Sequence, residues 1–330
     1  MYYEYIMYED IKTLKARISP NPLNLSKYKA LKGICKTKIK NGGTSMTKTI
    51  MVSNQKGGVG KTTTTLELGA IYARKGKRVL VIDLDGQVNL SMYVNAKYDD
   101  KNIPTIRDVL LEIKEILKNS ELETDDTEDG EDDIITRSIQ TTSEGFDIIA
   151  GHRNLSNALA EFSDTTDVFL LKELISCLED YDYILIDSAP ARSPLLNMGY
   201  VAANYCLILT EADKASQDGV KQVVTDIKLL KKSKMSDIVI LGILLNKNED
   251  LKNQEEAYED LCAFGKTNNC MPFETIISKA AGATTAKNMY KSIHAYRDTK
   301  GIDKRSIQGI LTDFENLAVE IEKRIKKIER

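Results

Sequence analysis

The stretch Gln55-Lys56-Gly57-Gly58-Val59-Gly60-Lys61-Thr62-Thr63 decides how the rest of this chain is read. Before it comes a short apolar, partly β-branched run, Thr49-Ile-Met-Val-Ser-Asn54. After it the pattern is helical over about 62–75, with Gly76 as a stop signal. A glycine turn between a strand and a helix aims its own amides and those of the helix N-terminus at one anion. Glycine permits the positive φ angles and the close backbone approach that this needs. Lys61 is placed to reach β- and γ-phosphates, and Thr62 to put its hydroxyl on Mg²⁺. Gly57, Gly58, Val59, Gly60 and Thr63 complete the cradle. The stretch departs from a strict G-x-x-x-x-G-K-[ST] pattern, because Gln55 holds the first glycine position. The dinucleotide pattern G-x-G-x-x-G fails too, since Gly58-x-Gly60 is followed at the third position by Thr63.

Working outward, the next apolar runs are Arg78-Val-Leu-Val-Ile-Asp83, Tyr183-Ile-Leu-Ile-Asp187, Cys206-Leu-Ile-Leu-Thr210 and Ile238-Val-Ile-Leu-Gly-Ile-Leu-Leu245. They are continuously apolar rather than alternating, as expected of strands buried on both faces. Helical patterns at about 106–117, 218–232 and 253–264 separate them. This alternation predicts an α/β fold: a doubly wound, mostly parallel sheet of P-loop NTPase type with helices on both faces. Asp83-Leu-Asp85-Gly-Gln87 ends the second run and Asp187-Ser-Ala-Pro190 the third. A lone aspartate at a strand end is often a helix cap. Three of them flanking a phosphate loop point into the ligand crevice, where one would hold Mg²⁺ and another orient an attacking water. Lys56 is a second cation that a cradle in cis does not need. It reads either as a surface lysine or as a charge donated across a dimer.

The formal net charge of −3 hides two opposed segments. Residues 1–45 hold nine basic and three acidic residues, and residues 119–133 hold nine acidic and no basic ones. The remainder is neutral, which argues against a protein that grips nucleic acid with its whole surface. The first 45 residues are expected to be a loosely ordered basic extension, with a single domain from 46 to 330 and a solvated acidic insertion at 119–133. No apolar run approaches bilayer length, and the N-terminus lacks the features of a signal peptide. Five cysteines without a C-x-x-C pair suit a cytoplasmic protein, and two histidines are too few for a histidine metal site.

Lys56-Gly-Gly-Val-Gly-Lys-Thr-Thr63 resembles the deviant Walker A loop of the ParA/MinD superfamily of P-loop ATPases. Asp83-Leu-Asp-Gly-Gln-Val-Asn-Leu-Ser91 is similar to the motif that follows it in the ParA branch, and Tyr181-Asp-Tyr-Ile-Leu-Ile-Asp-Ser-Ala-Pro190 to its Walker B strand. Weaker likenesses are Asp147-Ile-Ile-Ala-Gly-His-Arg-Asn-Leu155, Gly242-Ile-Leu-Leu-Asn246 and Phe273-Glu-Thr-Ile-Ile277. The resemblance runs in order from about Met46 to the C-terminus. It implies that Lys56 crosses an ATP-sandwich homodimer and that Lys61 and Thr62 bind phosphate and Mg²⁺. It implies further that Asp83 and Asp187 serve the metal shell, that Asp85 positions the hydrolytic water, and that Asn246 reads the adenine edge. The family's usual proline and glycine are here Gly86 and Val88, and the first proline after the Walker B aspartate is here Ala189.

The task that the resemblance implies is partition of plasmids or chromosomes. An ATP-bound dimer binds DNA non-specifically at the nucleoid, and a ParB-like centromere-binding adaptor triggers hydrolysis and release. Lys228, Lys231, Lys232 and Lys234 at a helix end are the local candidates for DNA contact, although lysines also favour helix C-termini through the dipole. Arg297, Lys300, Lys304 and Arg305 form a second cluster. The alternative is a MinD-like membrane-cycling positioning ATPase. It would need an amphipathic C-terminal helix, and the stripe from Ile307 to Ile328 reads instead as core packing, so no stable membrane association is expected.

Overall fold

The computed structural model describes residues 46–119, 133–178, 180–248, 251–299, 301 and 304–330. The 1–45 extension and all but the two ends of the acidic insertion lie outside the described residues. The chain opens with β1 (Lys48–Ser53), α1 (Lys61–Arg74), β2 (Val79–Leu84), α2 (Asn89–Tyr93) and α3 (Ile106–Asn119). It continues through α4 (Ile134–Ser138), β3 (Ile139–Thr141), β4 (Asp147–Ile149), α5 (Ala158–Glu161), α6 (Leu170–Ser176), β5 (Tyr183–Ser188) and α7 (Pro194–Ala202). Next come β6 (Tyr205–Thr210), α8 (Lys214–Lys232), β7 (Val239–Asn248), α9 (Leu251–Asn268) and β8 (Ile277–Ser278). The last helices are α10 (Ala281–Asn288), α11 (Ile293–Arg297) and α12 (Arg305–Ile328).

One sheet carries all eight strands, in the order β3-β4-β2-β5-β1-β6-β7-β8. Every pairing is parallel except the β3–β4 edge, as the apolar runs imply. Residues β2, β5 and β6 are buried throughout. The pleat divides them between two cores. Met51, Leu80, Ile82, Ile184, Ile186 and Ile208 face one core with residues of α3, α6, α7 and α8. Ile50, Val52, Val81, Leu185 and Leu207 face the other, with Leu66 and Tyr72 of α1 and Phe314 of α12. The C-terminal stripe is part of that second core. Ile307, Leu311, Phe314, Leu317, Ile321 and Ile325 are all buried, while Ile328 alone stays exposed.

Three strands are not marked by the apolar runs: β3, β4 and the two-residue β8. β3 and β4 are three residues each, too short for a periodic signal, yet β4 pairs beside β2 and extends the sheet on that side. The opposite edge is tied to α12 by Asp313, Glu320 and Arg324. Arg324 of α12 donates to the carbonyls of Leu241, Met271 and Pro272 at 2.8, 2.9 and 2.6 Å, pairs with Glu320, and lies 4.0 Å over the Phe273 ring. Gly242 makes room for it: a Cβ there would lie 2.3 Å from the guanidinium.

Replacing Arg324 by methionine keeps the stem and removes three donors. The expected cost is about 2 kcal/mol of stability, since the carbonyls are part-exposed and water recovers some of the bonds. A denaturant titration checks this, and an unchanged midpoint would show that the guanidinium closes nothing.

Candidate functional site

The glycine loop leaves β1 and enters α1 through two left-handed residues, Gly58 (φ 83°) and Gly60 (φ 98°). Gly60 caps α1 with its carbonyl, which accepts from Thr64 N at 2.9 Å, and no side chain caps the helix start. The first amides of a 14-residue helix therefore face the loop, where an anion satisfies them. Lys61 is nearly buried, and its ammonium donates to the Lys56 carbonyl at 3.0 Å. Burial lowers its pKa, while Asp187 and then Asp85 pull the other way. The lysine is thus oriented along the loop it serves, with two carboxylates within electrostatic reach.

Two buried carboxylates come from neighbouring strands. Asp83 of β2 and Asp187 of β5 sit directly opposite in register, and Val52 of β1 is the next partner of Asp187. Asp83 is fully buried and well bonded. Its Oδ2 accepts from the Ser91 amide at 3.0 Å and the Ser91 hydroxyl at 2.7 Å, and its Oδ1 from the Asp85 amide at 3.2 Å. Burial still pushes its pKa up to about 6 against those bonds. Asp187 is equally buried, but neither of its oxygens has a hydrogen-bond partner. Burial raises its pKa well above the usual carboxylate range and the Asp83 charge raises it further. The neighbouring Thr62 hydroxyl and the Lys61 ammonium favour the charged form without offsetting this. Asp85 accepts from the Gln87 amide at 2.9 Å, which tightens the turn after β2.

That turn accounts for Gly86, one of the three departures from the pattern. A Cβ at Gly86 would lie 2.9 Å from the Ser156 amide, so the 153–157 turn packs where a larger residue would stand. Val88 takes a left-handed φ of 51° at the start of α2, a strained choice for a β-branched residue, and is fully buried. Gly151, from the run after β4, approaches Asp83 closely, and its amide donates to the Ser91 hydroxyl at 2.9 Å. The missed strand β4 is therefore what brings Gly151 to the site.

On the other side of β1 the loop is tied to α8. Asn54 donates to the Leu209 carbonyl at 2.5 Å and the Ser216 carbonyl at 3.1 Å, and accepts from the Lys56 amide at 2.7 Å. Gly219 of α8 admits this contact, because a Cβ there would lie 2.1 Å from Asn54 Oδ1. Gln55 reaches Asp226 of α8 at 2.5 Å, and Asp226 also accepts from Arg192, just beyond the β5 end, at 2.8 Å. The Lys56 ammonium donates to Asp213 at 2.8 Å and to the Ser216 hydroxyl at 3.0 Å. At the β7 end, Asn246 donates from Nδ2 to the Val59 carbonyl at 2.7 Å, and Lys247 donates to the Gly58 carbonyl and pairs with Glu211 at 2.9 Å. The sequence marks Asn246, Val59, Lys56 and Lys61, but not Asp213 and Ser216, which take the Lys56 ammonium. Asp213 carries a readable helix-cap signal, yet it lies 157 residues from Lys56. Lys228, Lys231, Lys232 and Lys234 are not brought to the loop. They sit at the far end of α8, roughly 27 Å along its axis from Asp213. Lys228 donates to the Asn268 side chain and Lys231 to the Ile238 carbonyl, and none of the four pairs with a carboxylate among the described residues. In the second cluster Arg297 bonds Asp298, which compensates its charge, and Lys300 lies outside the described residues.

A family profile described as an AAA domain matches residues 47–240, more than half of the chain. The sporulation initiation inhibitor protein Soj of Bacillus subtilis is 32% identical over 202 residues, covering 61% of this chain and 72% of that protein. The chromosome partitioning protein ParA of Myxococcus xanthus is 29% identical over 260 residues, covering 77% and 83%. The fold resembles that of apo McdA from Cyanothece, with a TM-score of 0.65, 21% identity, and coverage of 84% of this chain and 99% of that one.

The carboxylate pair makes the ligand-free chain sensitive to pH. A group whose folded pKa is raised stabilises the fold below its unfolded pKa and loses that contribution as pH rises through the folded value. For Asp83 that window runs from about pH 4 to about pH 6, and Asp187 loses it higher. Asp187→Asn should therefore raise the melting temperature by several degrees at pH 7.5 and much less at pH 4.5. A variant melting lower at both pH values would mean that the carboxylate is paired in the free chain.

Proposed function

Because the chain belongs to the AAA-domain family of ParA-type P-loop partition ATPases, we propose that it hydrolyses ATP and uses the nucleotide to switch a DNA-binding homodimer. The observation that carries this reading is the orphaned Asp187 carboxylate, buried beside Asp83 and facing Lys61 and Thr62. A buried carboxylate with no donor fits a divalent cation, and the uncapped α1 start with its two left-handed glycines fits a phosphate chain. Mg²⁺ would supply charge neutralisation between the phosphates when bound. Thr62 and Asp187 would hold it directly. Asp83, already accepting three hydrogen bonds, would act on its waters.

The other residues take roles that the geometry supports. The amides of Gly57, Gly58, Val59, Gly60, Lys61, Thr62 and Thr63 cradle phosphate, and Lys61 reaches the β- and γ-oxygens. Asp85 Oδ1 is engaged by Gln87, leaving the other oxygen to orient the attacking water. Asn246 Nδ2 is engaged by Val59, so Oδ1 is the atom left to accept from the adenine amino group. Lys56 crosses to the partner subunit's phosphates. Turnover is slow until a ParB-like adaptor completes the site. The uncompensated lysines at the α8 end supply a local phosphate contact on an otherwise neutral body, and the protein acts in the cytoplasm at the nucleoid. The membrane-cycling alternative is disfavoured by α12, whose apolar stripe is already buried in the core. Among the described residues no helix is long and apolar enough to cross a membrane.

Lys61→Ala should abolish nucleotide binding in a calorimetric titration; wild-type turnover by this variant would sink the assignment. Asp85→Ala should lose turnover but keep an ATP-dependent dimer by sedimentation, whereas loss of both would make Asp85 structural.

Co-sedimentation should show DNA binding only with ATP, falling steeply between 50 and 200 mM salt as counterions are released. Converting Lys231 and Lys232 together to glutamate should weaken it at least tenfold, and ATP-dependent binding to anionic liposomes instead would favour membrane cycling.

A further inference from the structure

Lys287 of α10 is a half-buried cation with no acid to hold it. Its ammonium lies 5.9 Å over the Tyr93 ring of α2, and among the described residues no carboxylate stands within ion-pair distance of it. Burial lowers its pKa, and the Lys247 ammonium lowers it further. The charge of Glu67, on α1, favours the ammonium without offsetting this. Glu67 is already engaged elsewhere. Its carboxylate accepts from the Ile293 amide at 2.7 Å and meets His294 Nδ1 at 3.1 Å, while burial works against its own ionisation. Ala286, the neighbour of Lys287 in α10, is fully buried in the second core and fixes the helix in place.

These neighbours place Lys287 beside the phosphate loop. Lys247 donates to the Gly58 carbonyl, and Tyr93 follows closely on Ser91, which bonds Asp83. In the function proposed above, Lys61 and Thr62 serve the β- and γ-phosphates and the metal. A helix turns about 100° per residue, so Thr63 faces the next sector of α1. Glu67 lies one turn beyond Thr63 on the same face. Lys287, within electrostatic reach of Glu67, stands on that sector. The part of a phosphate chain that meets this sector is the end away from the γ-phosphate. We propose that Lys287 is a phosphate ligand carried by α10, and that it holds the α-phosphate of the nucleotide bound in its own subunit. The inference rests on the nucleotide reading above. It adds a cation that lies beyond Phe273-Glu-Thr-Ile-Ile277, the last stretch that resembles the family. An ammonium offers three N–H donors at a compact charge, which suits a phosphate oxygen. The charge that burial disfavours in the free chain is then compensated by the ligand rather than by the fold. The contact needs no partner subunit, so it forms with ADP as well as with ATP.

Lys287→Met keeps the stem and removes the charge. In a calorimetric titration with Mg²⁺ and ADP it should bind about tenfold more weakly than the wild type, through loss of one charge-assisted hydrogen bond. Without nucleotide it should melt no lower than the wild type, since a half-buried and uncompensated charge has been removed. Acylation by acetic anhydride, read by mass spectrometry, measures the same contact in the wild-type chain. ADP with Mg²⁺ should slow modification of Lys287, and inorganic phosphate at the same concentration should not. Equal protection by inorganic phosphate would overturn the nucleotide contact in favour of a free-anion site. Wild-type ADP affinity in Lys287→Met, with Lys287 unprotected by ADP, would overturn the inference; if Lys61→Ala still loses ADP in that case, the nucleotide reading stands without it. Unimpaired ADP binding by Lys61→Ala would remove both. A lower melting temperature of Lys287→Met with unchanged ADP affinity would make Lys287 a packing residue.

Discussion

Two carboxylates stand side by side in a dry sheet, and one of them has no hydrogen bond. Asp83 and Asp187 meet because β2 and β5 are adjacent and in register at their C-terminal ends. Asp83 is tolerable there because Ser91 and the Asp85 amide solvate it. Asp187 has no such help. The arrangement costs stability in the free chain and fits the cation and phosphate chain proposed for it. The neighbouring features follow from this constraint: Lys61 buried along the loop, Thr62 beside Asp187, and the helix start left uncapped.

The strand order gives the site two unlike flanks. On the β5 and β2 side lie the acids, supported by β4 and the close approach of Gly151. On the β6 and β7 side the loop is gripped by polar contacts from Asn54, Gln55, Asn246 and Lys247. Asn246 stands on this second flank, bonded to the Val59 carbonyl of the loop.

Helix α8 joins most of the loop's anchors. It accepts Asn54 and Lys56 at its N-terminal turn and Gln55 past its midpoint, takes Arg192 from beyond β5 through Asp226, and ends in lysines that pair with no carboxylate among the described residues. Burial raises the Asp226 pKa, and Arg192 and Gln55 work against it. One rigid rod thus touches the start of the phosphate loop, the exit of the second acidic strand and the basic end.

The sequence by itself determined the parallel sheet, the glycine loop and the three strand-end aspartates. These are local: continuous apolar runs, turn residues and charges at run ends are written in consecutive positions. It also determined that the α12 stripe would pack inward. The short strands β3 and β4 were illegible, since three residues carry no period. Tertiary structure alone decided that Asp83 is hydrogen-bonded by Ser91 while Asp187 has only the neighbouring Thr62 hydroxyl and Lys61 charge to favour its ionised form. It also decided that Gly86 makes room for the 153–157 turn, and that Lys56 rests on Asp213. Each of those facts depends on which strand lies beside which, and on residues as much as 157 positions apart meeting within hydrogen-bond reach. Spacing along a chain records periodicity and turn chemistry, whereas the partner of a buried charge is chosen by the packing of elements that the chain reaches only after folding.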